Sequence, residues 1–297
     1  MVAATLAMLL FALSSVAAKR SIGFLGSTHA NLARIVLATV LLGAWAHTFG
    51  GGFRGPALGW FVVSGVIGFG ICDTAIFLAL PRLGAQLTSL MVQCLAAPIA
   101  ALTEWIWLGT RLSPGQVISG TLILAGVGVA LAPQGKGTPA TTPDWVGYAL
   151  GFVAAAGQAF GAVLSRHGQL LSRDAGFPLD GMTVAYQRIL AGLVFTVAWW
   201  WWARRNRVGA PPAGPIAVRL AIPWILINAF SGPSLGVAAY QWALLHQPTG
   251  VVVAVTALTP LAVIPFAWWL DGERPKSRSV LGAVLAVAGA VALALVR

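Results

Sequence analysis

The feature that most constrains this chain is a series of apolar stretches, many of them with no charge over 18 or more residues. Each is long enough to cross a hydrocarbon layer of ~30 Å as a helix. Only 8% of the 297 residues are charged, and 58% are hydrophobic. A soluble domain carries roughly 25% charged residues, so a soluble fold has too few charges to keep this much apolar sequence in solution. Ten spans are predicted: 2–18, 29–48, 57–80, 84–109, 115–132, 145–165, 181–203, 219–245, 249–270 and 279–296. The class is therefore all-α, a polytopic membrane protein. The first stretch ends in Ser14-Ser15-Val16-Ala17-Ala18, which has the look of a cleavage site. No basic residue precedes it, however, and the repeat described below gives it a membrane counterpart, so it reads as a retained helix.

The formal net charge is +11, but the basic residues stand mostly at span ends, where Lys and Arg set topology. They form no contiguous patch of the kind that binds nucleic acid. Cys72 and Cys94 lie within apolar segments and pack as small hydrophobes. His29, His47, His167 and His246 are scattered. No metal site, cofactor site or nucleophile–base set is predicted, which argues against an enzyme.

The two halves echo each other. Pro98 and Pro260 are each followed by a Trp-containing apolar run ending in Gly109-Thr110-Arg111 or Gly272-Glu273-Arg274. Arg34-Ile35 opens span 2 as Arg188-Ile189 opens span 7, and Gly120 and Gly282 open matching Gly/Ala-rich spans 5 and 10. The expected division is a first five-helix repeat (1–132), a linker loop (133–144) and a second repeat (145–297). An odd number of spans per repeat inverts the second, an architecture of secondary transporters whose site lies between the halves near the midplane.

These residues resemble the EamA-type families of the drug/metabolite transporter superfamily: the early Arg of spans 2 and 7, the proline of spans 4 and 9, and the Gly-Glu-Arg ending span 9. Thr110 departs from the pattern, standing where the family tends to have Glu. The resemblance implies a carrier of small metabolites in the cell inner membrane, often an exporter of amino acids or drugs and in some cases proton-coupled. Span 1 holds no carboxylate, unlike the small multidrug relatives. If protons are coupled, Asp73 or Glu104 must carry them.

Calling the N-terminal side A, eleven basic residues flank side B (Lys19, Arg20, Arg82, Lys136, Arg204, Arg205, Arg207, Arg219, Arg274, Lys276 and Arg278). Five flank side A (Arg54, Arg111, Arg166, Arg173 and Arg297). The positive-inside rule places side B in the cytoplasm and both termini outside, whereas related carriers are usually drawn with both termini inside.

Arg34, Asp73, Glu104 and Arg188 are the ionisable residues deepest in the spans, and intramembrane charges need partners. Matching depth predicts Arg34–Asp73 and Glu104–Arg188 pairs, either static or gating. Gln86, Gln93 and Glu104 form a stripe on span 4 that lipid cannot satisfy, so this helix is expected to supply the more polar wall of a cavity. The other cavity candidates are Gln158, Tyr186, Asn228, Tyr240, Gln241, Thr256 and, beside Glu104, Trp105. For each amide, a role as interhelical glue competes equally with ligand contact. An amide- and aromatic-lined cavity suits a neutral or zwitterionic solute. Anionic metabolites, nucleotide conjugates or drugs are the alternative, and a channel-like pore is a third class. Monomer and homodimer are equally compatible with the sequence.

Overall fold

The computed structural model describes residues 1–131, 144–206, 214–271 and 277–295, and within these the side chains outside 80–81, 84–87, 89–90, 93–94, 130–131, 266–271, 277, 279 and 294. All regular structure among them is helical. Among the described residues six helices are long and apolar enough to cross a membrane and four shorter apolar helices accompany them, in keeping with the ten spans read from the sequence as two groups of five. The first repeat comprises α1 (Val2–Leu25), α2 (Ser27–Thr48), α3 (Leu58–Ala79), α4 (the run ending in Leu95–Leu108) and α5 (Pro114–Leu131). The second comprises α6 (Trp145–Asp174), α7 (Gly181–Arg205), α8 (Pro215–His246), α9 in two pieces, α9a (Thr249–Thr256) and α9b (Thr259–Asp271), and α10 (Ser277–Leu295). Of the linker expected at 133–144, only Asp144 is among the described residues, and Gly272-Glu273-Arg274 lies outside them.

Two boundaries differ from the spans read off the sequence. Lys19 and Arg20 do not end the first helix, which continues to Leu25 before Gly26 turns the chain at φ 74°. A positive φ costs glycine nothing, so a one-residue corner suffices. α6 likewise runs past Arg166 to Asp174.

Helical backbone is unbroken from Asp73 to Leu108, with no loop between α3 and α4. A straight helix would hold Trp60 and Trp107 about 70 Å apart. Their rings instead lie 5.5 Å apart, both against His167. Leu83 packs on Gly147 and Met91 on Gly151, so the chain doubles back in the stretch that holds Pro81 and Gly84, both helix-breaking residues.

Polar caps set the remaining boundaries. Asp144 accepts from the Gly147 N–H (2.9 Å) to start α6, and Asp180 accepts from Met182 and Thr183 N–H (both 3.0 Å) to start α7. Each satisfies orphan donors of a first turn. Gly109, in the left-handed region at φ 68°, closes α4. Small residues bring helices together: Gly126 of α5 faces Gly282 and Ala286 of α10, and Gly161 of α6 lies on Gly68 of α3. Close backbone approach of this kind drives helix association in lipid, where apolar side chains gain little by leaving the solvent.

Equivalent helices of the two repeats carry equivalent irregularities. α3 widens into a π-helical segment at Val66–Cys72, and α8 does so at Phe230–Ser234. π segments loosen the i→i−4 ladder and recur at functional sites. α9 is interrupted at Ala257-Leu258. Pro260 has no N–H to give the Thr256 carbonyl, and the Thr259 hydroxyl bonds that carbonyl instead (2.6 Å).

Candidate functional site

The two π segments and the break in α9 converge on one cavity of about 240 Å³. Its wall draws on both repeats: Ser14 and Ser15 from α1, Arg34 from α2, Gly68 to Ile76 from α3, Gln158 from α6, Arg188 from α7, Gly232 to Tyr240 from α8, and Thr256 and Thr259 from α9. Of the residues singled out from the sequence, Arg34, Asp73, Gln158, Arg188, Tyr240 and Thr256 meet here.

Arg34 and Asp73 form a salt bridge of 2.5 Å, Arg34 Nη2 to Asp73 Oδ2. Arg34 Nε also donates to Asn31 Oδ1 (2.9 Å), and its guanidinium lies over Phe77. This corner of the cavity holds both signs and no net charge.

The predicted Glu104–Arg188 pair does not form. Glu104, buried at 2% exposure, faces Arg166 at the end of α6, with Oε1 2.6 Å from Nη1. Its Oε2 accepts from the Thr249 backbone N–H (2.5 Å). Arg166 Nη1 also donates to the Gln247 carbonyl (2.7 Å). Depth alone placed Glu104 level with Arg188, but α4 packs on α6 and α9a rather than α7. The partner was an arginine read from sequence as a loop residue of side A. Glu104 is thus not among the residues lining this cavity; it ties α4, α6 and the start of α9a together.

Arg188 hydrogen-bonds only neutral groups among the described contacts, with the Asp73 carboxylate in the same cavity but beyond ion-pair distance. Its Nε donates to the Ser64 hydroxyl (2.9 Å), which itself donates to the Gly161 carbonyl (2.6 Å). The Phe69 ring lies 5.4 Å from the guanidinium carbon. Among the described side chains no carboxylate comes within ion-pair distance of it.

Four other candidates lie elsewhere. Tyr186 stands toward side A, its hydroxyl 3.1 Å from His47 Nε2 and its ring against Phe53. Gln241 Oε1 accepts from Ser165 (2.6 Å) and Gln169 (3.0 Å), joining α8 to α6 as interhelical glue. Asn228 sits behind the wall, accepting from the Ser14 hydroxyl at 2.8 Å. Trp105 is 52% exposed on the outer face, where an aromatic ring meets lipid or headgroups. The side chains of Gln86 and Gln93 lie outside the described residues, and Glu104 is not among the residues lining this cavity. Among the described side chains, Thr256 and Thr259 at the break bring polar groups to it from α9. Reading the sequence for polar residues missed Phe11 and Phe69, which line the cavity as apolar walls. The glycines and prolines of Val66–Cys72 and Phe230–Ser234 were the available signal.

A family model for the EamA-like transporter family matches residues 1–132 and 145–295. No curated protein matches the chain. A solved structure described only as that of a protein superposes with a TM-score of 0.74 at 20% identity, covering 99% of this chain and 95% of that one. At that identity the likeness shows the fold alone.

Proposed function

The chain belongs to the EamA-like transporter family, and from that premise we propose that it is a carrier exporting a small zwitterionic or neutral metabolite of amino-acid size by alternating access. The observation that carries this reading is the cavity itself, built from both repeats at the helix irregularities. Carriers built from inverted repeats bind between the halves and expose the site to each side by rocking one half on the other. A volume of about 240 Å³ is below the ~300–1,000 Å³ of drug-sized pockets. A cavity of this size suits a small metabolite rather than a drug-sized solute.

Contacts at the side-A end of the bundle support a conformation closed toward that side. There Gln187 donates to the Gly52 and Arg54 carbonyls (2.8 and 3.1 Å), Gly51 N–H donates to Thr183, and Glu104, Arg166, Gln247 and Thr249 knit four elements together. Direction of export follows the family resemblance.

A second reading, a carrier of anionic metabolites, is favoured by one observation: among the described side chains no carboxylate lies within ion-pair distance of Arg188. Counterflow in proteoliposomes tests both. Purified protein should exchange internal for external labelled amino acid, and excess unlabelled substrate should compete. Exchange of monocarboxylates without amino acids would select the second reading, and single-channel currents would overturn both.

A further inference from the structure

Arg188 is the one cavity-lining cation among the described side chains that no carboxylate neutralises, and the surrounding structure holds it ready for one. Its Nε is fixed by Ser64, which is fixed in turn by the Gly161 carbonyl. Its Nη2 passes over Gly68, where even a methyl group would crowd it, so the guanidinium reaches the cavity across a gap left by an absent side chain. No hydrogen bond occupies either Nη atom among the described contacts. The Tyr240 phenol lines the same cavity and lies close enough to Arg188 to interact electrostatically. Its hydroxyl is buried without a hydrogen-bond partner. A buried hydroxyl with nothing to bond, beside cavity-facing guanidinium N–H groups with no described acceptor, is costly to maintain unless something accepts from it.

Asp73 completes the arrangement. It follows Gly68 by five residues on the same helix, about one turn of the π segment and roughly 5–7 Å further along the axis. Its Oδ2 is taken by Arg34, and its Oδ1 has no described partner. An α-amino acid presents a carboxylate and an ammonium a few ångströms apart, and hydrogen-bond distances at both ends bring the span to about this length.

We propose that Arg188 and Tyr240 form a carboxylate-binding subsite, with Asp73 receiving the ammonium, so that the cavity selects α-amino acids by their zwitterionic end. The side chain of the solute then lies against Phe11, Phe69 and Val237. A planar guanidinium offers two parallel N–H groups to the two oxygens of a carboxylate, a match that an ammonium cannot reproduce. The carboxylate enters as the counter-ion that Glu104 was expected to be.

This inference rests on the carrier reading, and the experiment separates the two. Ligand-induced thermal stabilisation and counterflow are measured for the twenty L-amino acids and for their α-amides, on wild type, Arg188→Lys, Arg188→Gln and Tyr240→Phe. Tyr240→Phe removes a hydroxyl that bonds nothing in the described structure, so it should fold as wild type. Amino acids that bind wild type should bind Tyr240→Phe about 3- to 10-fold more weakly and Arg188→Gln about 10- to 100-fold more weakly. Arg188→Lys should fall between wild type and Arg188→Gln, because it keeps the charge and loses the fork. The amides should bind wild type poorly and lose little further in the variants. If amides match their acids on wild type, the subsite is refuted while the carrier stands. If no amino acid binds or exchanges, both the substrate class and the subsite fall.

Discussion

Removing Glu104 should destabilise the protein more than removing any other described carboxylate. Its side chain is buried at 2%, and that of its partner Arg166 is 12% exposed. Deleting one partner of a buried pair leaves an uncompensated charge and costs about 3–5 kcal/mol. Arg166 retains the Gln247 carbonyl, which lowers that figure, but Thr249 N–H at the start of α9a loses its acceptor, and an orphaned buried N–H costs about 1–3 kcal/mol. The two effects share one side chain and do not simply add, so about 3–5 kcal/mol is expected for Glu104→Ala. Glu104→Gln keeps an acceptor for Thr249 and should cost about 2 kcal/mol. Adding Arg166→Gln to Glu104→Gln removes the stranded charge and should restore at least half of that loss. Unfolding in mixed micelles, followed by Trp fluorescence, measures these three and Arg166→Gln alone. A Glu104→Ala variant within about 0.5 kcal/mol of wild type would refute the reasoning, as would a double variant as unstable as the sum of the singles. The same Glu104→Gln protein, assayed for counterflow with and without a pH gradient, should respond to the gradient as wild type does, because Glu104 does not line the cavity. Loss of the response would return the proton-carrying role to this carboxylate.

Asp73→Ala should destabilise by about 3 kcal/mol by stranding Arg34 in a partly buried corner, and the Arg34→Gln/Asp73→Asn double variant should recover part of this while losing amino-acid exchange. The backbone N–H of Gly147, aided by Arg82, holds the Asp144 carboxyl below its ordinary range. A depressed carboxyl stabilises the start of α6 above its unfolded pKa and loses that contribution as pH falls through the folded one. Amide exchange at Gly147 should therefore quicken as pH drops below about 4 relative to Asp144→Asn, once intrinsic rates are divided out. A C-terminal alkaline phosphatase fusion should be active and a C-terminal fluorescent fusion dark if both termini lie outside; a bright fluorescent C-terminus would reverse the orientation.

The ten crossings were legible because each is a long apolar run, and length alone specifies a span. The Arg34–Asp73 contact was legible because both residues lie at one depth on helices joined by short connections. Depth misled for Glu104. It is one coordinate of three, and it cannot say which of several helices at the same level lies alongside. Arg166 was hidden for a related reason: a helix that runs nine residues beyond its apolar stretch, to Asp174, carries what looks like a loop residue into the bundle. Trp105 and Gln241 are polar or aromatic residues in apolar sequence. Nothing local distinguishes a side chain turned to lipid, or spent on a neighbouring helix, from one turned to a cavity.

The cavity wall depends less on polar side chains than on where the helices depart from regularity, and the two repeats make this point independently. α3 and α8 share the π segment, although VIGFGIC and FSGPS have little in common beyond glycine. α4 and α9 share a proline, yet only α9 is interrupted. An interruption frees backbone carbonyls that must be satisfied within the protein or by a cavity. At Thr256 the neighbouring Thr259 hydroxyl does so. A break confined to one repeat also makes the cavity unequal on its two sides. Arg188 and Tyr240 approach it from the second repeat and Asp73 from the first, so a bound zwitterion would bridge the halves. A ligand that bridges two rocking halves binds their approached arrangement more tightly than their separated one, and that differential affinity is what a carrier needs to couple binding to the change of access.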